Sequence, residues 1–366
     1  TWCVGGALRD FLLGDPQQDV DLATAAPPEA VQQLFRHTVP VGIQHGTVGV
    51  IDRHRRLHEV TTFRRDVSTD GRHAVVAYGV SLEDDLARRD FTINALAYHP
   101  LRHEWRDPFH GLRDLQGGLV RAVGVPEERF REDYLRVLRA FRFAARFAFR
   151  IEPATWDAIK AAVPGLSELS AERVRDEWFK GLLSARSVME FVGFWQESGA
   201  AAVLLPELRV APVSAAPELP PRDPVLLTML LVDHPDQVLL RLRASSAEVA
   251  RAGRFVQAPA TPTAGDAIAV RRWMHAAGEA VDDLLAAHHR ATGAPARWEE
   301  TVAGIRERGE AVNRTGLAVS GHDLAEAGIA PGPAMGHLLD QLLEAVLTDP
   351  SLNTREHLLE RARDLA

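Results

Sequence analysis

Hydrophobic and polar residues alternate over the first 120 residues in a pattern that predicts a mixed α/β unit. Short runs rich in β-branched residues, bounded by Gly, Asp or charged turns, predict strands at residues 46–51, 57–63 and 74–80. Apolar positions recur at three- and four-residue spacing over residues 27–36 and 83–98, which predicts helices there. The pattern therefore predicts an α/β head over residues 1–120.

From about residue 127 onward the pattern is almost entirely helical. Apolar and arginine positions recur at three- and four-residue steps from Leu135 to Ala145, and residues 171–183 continue the helical pattern. Residues 206–235 contain seven prolines and predict loops around one short helix, and residues 258–265 predict a second break. The predicted fold class is α+β, with helical units following the head.

The composition excludes several classes of protein. The chain has 366 residues and is 46% hydrophobic, which is typical of a globular protein and excludes wholesale disorder. The single cysteine, Cys3, cannot form an internal disulfide, so a reducing compartment is favoured. No run approaches eighteen apolar residues. We therefore expect a cytoplasmic protein that does not cross a membrane.

The net charge of −8 taken alone disfavours a nucleic-acid partner, but the distribution of that charge along the chain removes the objection. Residues 1–186 carry 26 basic and 26 acidic side chains, so the whole acidic excess lies in the remainder of the chain. Residues 129–150 contain seven arginines against only Glu132 and Asp133. Because the planar guanidinium group suits phosphates and base edges, this segment favours an anionic ligand.

Residues 4–10 (VGGALRD) join a strand-like start to a predicted helix over residues 8–13. The two glycines, Gly5 and Gly6, allow backbone amides to approach a ligand closely, and a helix N-terminus favours phosphate. Arg9, just inside the helix, can contact a phosphate or a ribose. The alternative is a tight strand-to-helix turn without a ligand.

Asp19 and Asp21 are two residues apart, so in a strand both carboxylates would point to the same face. Adjacent carboxylates repel unless a cation lies between them, and Mg²⁺ binds a few carboxylates together with substrate phosphates. Two-metal nucleotidyl transfer requires this arrangement. Glu59, on a predicted neighbouring strand, is the candidate for a third carboxylate.

Residues 88–96 (RRDFTINAL) fit either an amphipathic helix with a solvated charged face or a triphosphate-binding segment. Arg88 and Arg89 would bind a triphosphate if they lay beside a carboxylate metal site. Residues 107–115 (DPFHGLRDL) are typical of a turn-containing connector, for which we expect a structural role.

Residues 132–142 (EDYLRVLRAFR) predict one helix on which Asp133, Arg136 and Arg139 occupy adjacent turns of one face. An acid and an arginine held side by side offer an acceptor and a donor fork, enough to pair with the Watson–Crick edge of a base. An ordinary ladder of salt bridges is the alternative, but the arginine excess is greater than such a ladder needs.

These segments, in this order, resemble the class II tRNA nucleotidyltransferases, the bacterial and eukaryotic CCA-adding enzymes, whose head is shared with bacterial poly(A) polymerases. The matching segments are residues 5–10 with 19–21, 88–95, 107–115 and 132–143. Residues 172–177 (ERVRDE) resemble the last motif of the family's neck, and residues 317–324 with 331–333 resemble its tail. The resemblance covers almost the whole chain and is weak over residues 210–300.

The resemblance implies a polymerase-β-like nucleotidyltransferase head followed by an all-helical neck, body and tail, at residues 1–120, 121–186, 187–300 and 301–366. It implies that Asp19 and Asp21 hold Mg²⁺ in a two-ion site, with Glu59 as the candidate third catalytic carboxylate. The implied contacts with the incoming CTP or ATP are Gly5, Gly6, Arg9, Arg89 and Asn94, together with Asp133 and Arg136 reading the base and Arg139 and Arg142 supporting them.

The implied activity is template-independent addition of CCA to the 3′ end of tRNA, with contacts to the 3′ end and to the acceptor and T arms. CC-only addition, A-only addition and poly(A) polymerisation stay open as alternatives. Residues 64–73 (RRDVSTDGRH) resemble a flexible loop that CC-only enzymes are expected to lack, whereas residues 74–76 (AVV) depart from the family pattern.

An RNA-binding module without catalysis is disfavoured by the intact aspartate pair. We predict no phosphohydrolase activity, because His322-Asp323 has no convincing companion ligands.

Overall fold

A computed structural model describes residues 1–15, 20–42, 46–69, 74–209 and 222–365 of the chain. These residues form two compact units, Thr1–Val210 and Ala211–Ala366. Among the described residues, the strands all belong to the first unit and helices occur in both units, so the α+β class predicted from the sequence is confirmed. No helix among the described residues is long and apolar enough to cross a membrane.

The head contains a mixed sheet whose seven described strands are ordered β3-β4-β5-β2-β1-β8-β9. Strands β2 and β5 pair in parallel, and the other neighbours in this sheet are antiparallel. A separate antiparallel hairpin consists of β6 and β7, so residues 64–69 of the loop-like segment form a strand, and residues 70–73 lie outside the described residues. The bounds are β1 (Trp2–Val4), β2 (Leu22–Thr24), β3 (Thr38–Gly42), β4 (Thr47–Ile51), β5 (Leu57–Thr62), β6 (Arg64–Thr69), β7 (Ala74–Tyr78), β8 (Ala97–His99) and β9 (Glu104–Arg106).

The head helices are α1 (Gly6–Leu12), α2 (Pro28–Leu34), α3 (Leu82–Ala87) and α4 (Gly111–Gly117). The helix predicted over residues 83–98 is wrong beyond residue 87, because one 3₁₀ turn (Thr92–Asn94) and β8 follow instead. The cause is Asp90, whose buried carboxylate accepts hydrogen bonds from the Phe91 amide and from Arg139, 49 residues away. Phe91 is extended and fully buried as a result, which ends the helical path.

The connector at residues 107–115 has a structural role. The Asp107 carboxylate accepts hydrogen bonds from the amides of Gly111 and Leu112 and so fixes the start of α4. Asp114, on the buried face of α4, accepts from the hydroxyl of Thr92. The connector therefore supports the segment that carries Asp90 and Asn94.

Helices follow the head, with bounds α5 (Pro126–Glu132), α6 (Leu135–Phe147), α7 (Pro153–Ala162), α8 (Ala171–Ser184), α9 (Val188–Ser198) and α10 (Ala200–Leu204). Their shared core is aromatic: Phe141 packs beside Trp156 and Trp195, and Trp178 contacts Trp195 edge to face. The neck, predicted to be all-helical, contains the short strand β11 (Arg150–Ile151), which pairs in parallel with β10 (Leu119–Val120) at the end of the predicted head. The amphipathic helix α6 buries its apolar face in this core and carries its arginines on the opposite face.

The single helix predicted over residues 132–142 is also wrong, because Asp133 lies in a break between α5 and α6. Its backbone is extended, with φ −158° and ψ 104°. Its carboxylate accepts a hydrogen bond from the amide of Leu135, the first residue of α6. Aspartate favours such a position because its side chain satisfies an amide that the helix leaves unpaired. Asp133 is thus held at the start of α6, ahead of Arg136 and Arg139.

The second unit is helical over its described residues, 222–365. Two of its buried clusters centre on Trp273 with Trp298 and on Leu342 with Leu358. The break predicted at residues 258–265 lies between α13 and α14. The bounds are α11 (Pro224–Leu231), α12 (Pro235–Arg241), α13 (Ser246–Gln257), α14 (Ala267–Ala277), α15 (Val281–Thr292), α16 (Glu299–Glu307), α17 (Gly321–Glu326), α18 (Pro333–Thr348) and α19 (Arg355–Leu365).

Candidate active site

A cavity of about 510 Å³ lies in the first unit, between the end of the head sheet and helices α6 and α8. Its volume falls within the roughly 300–1,000 Å³ typical of small-molecule sites. Among the described residues its lining has eight arginines and three aspartates, so it suits an anion. The lining residues are Gly6, Arg9, Asp21, Arg88, Arg89, Asp90, Asn94, Asp133, Leu135, Arg136, Arg139, Arg142, Phe143, Arg146 and Arg173.

The glycine turn between β1 and α1 forms one wall of the site. Gly5 has φ 78°, in the left-handed region that favours glycine. A β-carbon added to Gly5 would lie 2.7 Å from Nη1 of Arg89 and 3.8 Å from Oδ2 of Asp21. The missing side chain at Gly5 therefore lets Arg89 and Asp21 approach the turn from which α1 begins.

Two of the candidate carboxylates, Asp21 and Glu59, are brought beside each other by the parallel pair of β2 and β5. Asp21 directly precedes β2 rather than lying within it, and the amide of Val4 donates to its carbonyl oxygen at 3.0 Å. The parallel register pairs Leu22 with Val60, which places Asp21 beside Glu59 on the neighbouring strand. Both residues are exposed, and Glu59 is not part of the described cavity lining. Asp19 lies outside the described residues, and the described residues alone contain no cluster of three metal-ligating side chains.

Arg9 is almost completely buried, although it lines the cavity. Its guanidinium group donates to the carboxylate of Asp10 at 2.8 Å and to the side-chain oxygen of Asn94. Burial lowers its pKa, and the charge of Asp10 opposes that effect. Arginine nevertheless stays protonated in proteins, so Arg9 is a fixed positive charge at the first turn of α1.

Asp90 and Arg139 form an ion pair across the site. Nε and Nη2 of Arg139 lie 2.7 and 2.6 Å from the Asp90 carboxylate, and Asn94 donates to the same carboxylate at 2.9 Å. Burial by itself raises the pKa of Asp90, but the charge of Arg139 and these hydrogen bonds outweigh it and hold the pKa below the ordinary value for an aspartate. The pair connects the segment after α3 to α6 and fixes Asn94 between Asp90 and Arg9.

Asp85, buried at the end of α3, holds the arginine pair of residues 88 and 89. Arg88 lies 3.0 Å and Arg89 3.3 Å from its carboxylate. Arg89 also donates to the carbonyl oxygen of Asn94 at 3.4 Å, and burial lowers its pKa. Both guanidinium groups line the cavity, so the two positive charges are brought together without lying on one continuous helix.

Asp133 and Arg136 both line the cavity, and each side chain is held by other partners. Asp133 accepts two hydrogen bonds from Nη2 of Arg173, at 2.9 and 2.8 Å. Arg136 lies 2.7 Å from Glu132 and donates to the carbonyl oxygens of Arg88 and Arg129 at 3.0 Å each. The helix break at Asp133 turns its carboxylate toward α8 and away from Arg136.

Arg142 and Arg146 are each paired with an acid from another element. Arg142 lies 2.6 Å from the buried carboxylate of Glu177 on α8. Arg146 lies 3.2 Å from Asp10 on α1. These pairs join α6 to both the head and α8, and they leave a surface rich in arginine facing the cavity.

The structure thus brings most of the sequence-predicted nucleotide contacts to one cavity: Gly6, Arg9, Arg89, Asn94, Asp133, Arg136, Arg139 and Arg142. Gly5 lies behind this lining, in the turn itself. Sequence reasoning missed Arg173 as the partner of Asp133, and Glu177 as the partner of Arg142. Arg173 and Glu177 are four residues apart on α8, so their common face was readable from the run at residues 172–177.

Three family models match the chain. The Poly A polymerase head domain matches residues 1–121, and the probable RNA and SrmB-binding site of polymerase A matches residues 148–211. The tRNA nucleotidyltransferase domain 2 matches residues 276–362. The first of these models covers the head sheet, the glycine turn and the residues up to Arg121.

Curated relatives and solved structures extend the similarity along the whole chain. The CCA-adding enzyme of Lactiplantibacillus plantarum is 35% identical over all of this chain and 92% of its own length. The crystal structure of the Bacillus stearothermophilus CCA-adding enzyme in complex with CTP is 33% identical, with a TM-score of 0.85 over 99% of this chain and 92% of that one. The Thermotoga maritima CCA-adding enzyme complexed with tRNA-CCA, at 21% identity and a TM-score of 0.68 over 99% of this chain and 90% of that one, shares the fold.

Proposed function

The chain belongs to the family of CCA-adding enzymes, and we propose that it adds C, C and A in turn to the 3′ end of tRNA. Its substrates are CTP and ATP, and each addition releases pyrophosphate. The observation that carries the proposal is the arginine-lined cavity with Asp21 at its edge. The similar Bacillus enzyme, whose structure is a complex with CTP, supports a nucleotide as the ligand.

We assign the triphosphate and sugar of the nucleotide to the glycine-turn side of the cavity. Gly6 and Arg9 stand at the start of α1, and Arg89 and Asn94 face them. Guanidinium groups bind phosphate oxygens through charged, directional hydrogen bonds. Because Asp10, Asp85 and Asp90 already hold these groups in place, little reorganisation is needed when the anion binds.

We assign recognition of the base to Asp133 and Arg136, with Arg139 and Arg142 supporting them. Asp133 offers carboxylate acceptors and Arg136 a donor fork, and both line the cavity. Arg173 holds the Asp133 carboxylate, and Glu132 with two backbone carbonyls holds Arg136. Base reading therefore uses side chains that are positioned before the nucleotide arrives.

The carboxylates of Asp19, Asp21 and Glu59 fit Mg²⁺, because this ion prefers a few carboxylate ligands together with substrate phosphates. Asp21 lies at the cavity edge, and the parallel register places Glu59 beside it. Mg²⁺ bound there would neutralise charge on the triphosphate and promote ionisation of the attacking hydroxyl. The protein's own part in attack of the 3′-hydroxyl on the α-phosphate is positioning and charge neutralisation.

The proposal places the 3′ end of tRNA at the head and neck, with the acceptor and T arms reaching the helical body and tail. The division into head, neck, body and tail at residues 1–120, 121–186, 187–300 and 301–366 stays a prediction. The cytoplasmic location, which tRNA processing suits, also stays a prediction.

An incorporation assay tests the proposed function. Purified protein is incubated with CTP and ATP and with tRNA that ends at the discriminator base, at C or at CC, and product lengths are read at nucleotide resolution. We expect all three tRNAs to end as CCA. Termination at CC would indicate CC-only addition, extension of only the CC end would indicate A-only addition, and long A tails would indicate a poly(A) polymerase. Absence of any product would contradict the proposal.

A further inference from the structure

Three of the cavity arginines converge on one aromatic ring. Phe143, on α6, is 3% exposed, and its ring lies under the guanidinium groups of Arg9, Arg139 and Arg142. The central guanidinium carbons lie 4.9, 5.3 and 4.3 Å from the ring centre, respectively. All are within the distance of about 6 Å at which a cation is attracted by a ring face.

Each of the three arginines is also held by a separate acid. Arg9 pairs with Asp10, Arg139 with Asp90 and Arg142 with Glu177. Asn94 links Arg9 to the Asp90–Arg139 pair, whereas Arg142 is held by Glu177 on α8. Hydrogen bonds and ion pairs therefore connect Arg9 with Arg139, and the Phe143 ring brings Arg142 beside them. The Phe143 ring lies within cation–π distance of all three groups.

The ring itself is fixed by its aromatic neighbours. Phe91 meets it edge to face, with centres 5.8 Å apart and an interplanar angle of 84°. Phe147, one helical turn further along α6, is nearly parallel to it at 6.1 Å, and Arg9 lies 4.8 Å from the centre of that second ring. A fixed ring with a negative face can hold cations close together that otherwise repel one another.

We propose that Phe143 is a positioning residue for nucleotide binding: its ring sets the orientation and spacing of Arg9, Arg139 and Arg142. This proposal rests on the proposed function, since it assigns the three arginines to the incoming nucleotide. Pre-orientation removes part of the entropy that long arginine side chains would otherwise lose on binding. The arginines face the same anion before and during the reaction, so the ring contributes to nucleotide affinity more than to the chemical step.

The test compares Phe143→Leu with Phe141→Leu in steady-state CTP incorporation. Phe141 is a matched control, because it is a fully buried phenylalanine on α6 that packs against Trp156, Phe194 and Trp195. We expect Phe143→Leu to raise KM for CTP about tenfold with kcat changed less than about threefold. Phe141→Leu should lower thermal stability and leave KM near the wild-type value. Equal KM values for the two variants would overturn the proposal.

Incorporation of fluorinated phenylalanine gives a second readout, which does not depend on whether the folded protein tolerates leucine at position 143. Phe143 is replaced by 4-fluoro- and 3,4,5-trifluorophenylalanine, which keep the shape nearly constant while progressively weakening the negative ring face. We expect KM for CTP to rise stepwise along this series, and to stay constant when the same residues replace Phe141. A flat series at Phe143 would overturn the proposal even if the wild-type protein adds CCA, whereas an inactive wild-type protein would instead contradict the proposed function.

Discussion

The bonding partners of single residues in this cavity cannot be identified from their separation along the chain. Asp133 and Arg136 are close in sequence, yet Asp133 is held by Arg173, 40 residues away, and Arg136 by Glu132 and two carbonyl oxygens. The residue types that line the cavity were readable from the sequence, because seven arginines against two acids over residues 129–150 are more than a ladder of salt bridges needs. Their pairing was not readable, because the backbone at Asp133 leaves the helix and turns the carboxylate toward α8.

Replacing Asp133 tests its assignment to base recognition. The change Asp133→Ala removes two carboxylate acceptors, so the preference for CTP and ATP over UTP and GTP should fall about tenfold to a hundredfold, as for the loss of a charged hydrogen bond. Misincorporation of each nucleotide into tRNA lacking CCA measures the effect. Asp176→Ala is the control, because Asp176 is a half-exposed acid on α8 that pairs with the neighbouring Arg175. Unchanged selectivity of the Asp133 variant would contradict the assignment.

At the scale of elements, periodicity predicted α6 and α8 well but failed between α3 and β8. The helical spacing over residues 83–98 is a local property of the sequence. The backbone conformation there is instead determined by the ion pair of Asp90 with Arg139, a residue 49 positions further along the chain. Asp21, which the sequence pattern placed in a strand, lies directly before β2, which begins at Leu22. Sequence patterns thus located the elements, and contacts between distant residues determined where several of them end.

The ion pair between Asp90 and Arg139 should stabilise the junction of the head segment with α6. The change Asp90→Asn leaves Arg139 without its charged partner, and we expect the free energy of unfolding to fall by about 2–3 kcal/mol at pH 7, below the full value for a buried pair because Arg139 is one-third exposed. Chemical denaturation measures the difference. Glu104→Gln, at an exposed pair with Arg106, should cost less than about 1 kcal/mol.

The same pair predicts a pH dependence. The charge of Arg139 and the hydrogen bonds to the carboxylate hold the pKa of Asp90 below its ordinary value, so this group binds protons less readily when the protein is folded than when it is unfolded. Its contribution to stability is therefore fully present above the ordinary carboxyl pKa and is lost as pH falls through the lowered folded value. The stability difference between wild type and Asp90→Asn should shrink as pH falls below about 4. A difference that is constant down to pH 2 would contradict the role of this carboxylate.

At the scale of the whole molecule, the acidic excess and the cationic cavity occupy different parts of the chain. The net charge of −8 arises beyond residue 186, whereas the cavity lining in the first unit has eight arginines against three aspartates. The net charge of the whole chain therefore argues against an anionic partner such as tRNA. The distribution of charge along the sequence, in contrast, favours one. The fold class and the cavity region were predictable in this way, because both depend on sums over many residues rather than on one contact.

Binding of tRNA should depend strongly on salt. If cavity arginines contact phosphates near the 3′ end, bound counterions are released, and the logarithm of the association constant should fall linearly with the logarithm of salt concentration with a slope of about −2 or steeper. Filter binding or fluorescence anisotropy between low and moderate salt measures this slope. A complex whose affinity is insensitive to salt would contradict phosphate contacts by these arginines.

The most direct test of the central claim, nucleotidyl transfer at the cavity beside Asp21, is incorporation of labelled CTP into tRNA that lacks its CCA end. The variants Asp19→Ala and Asp21→Ala are compared with Glu83→Ala, which removes an exposed carboxylate from α3. The account predicts that each aspartate variant loses at least about a hundredfold in rate while Glu83→Ala retains wild-type activity. Wild-type incorporation by the Asp19→Ala and Asp21→Ala proteins would contradict it.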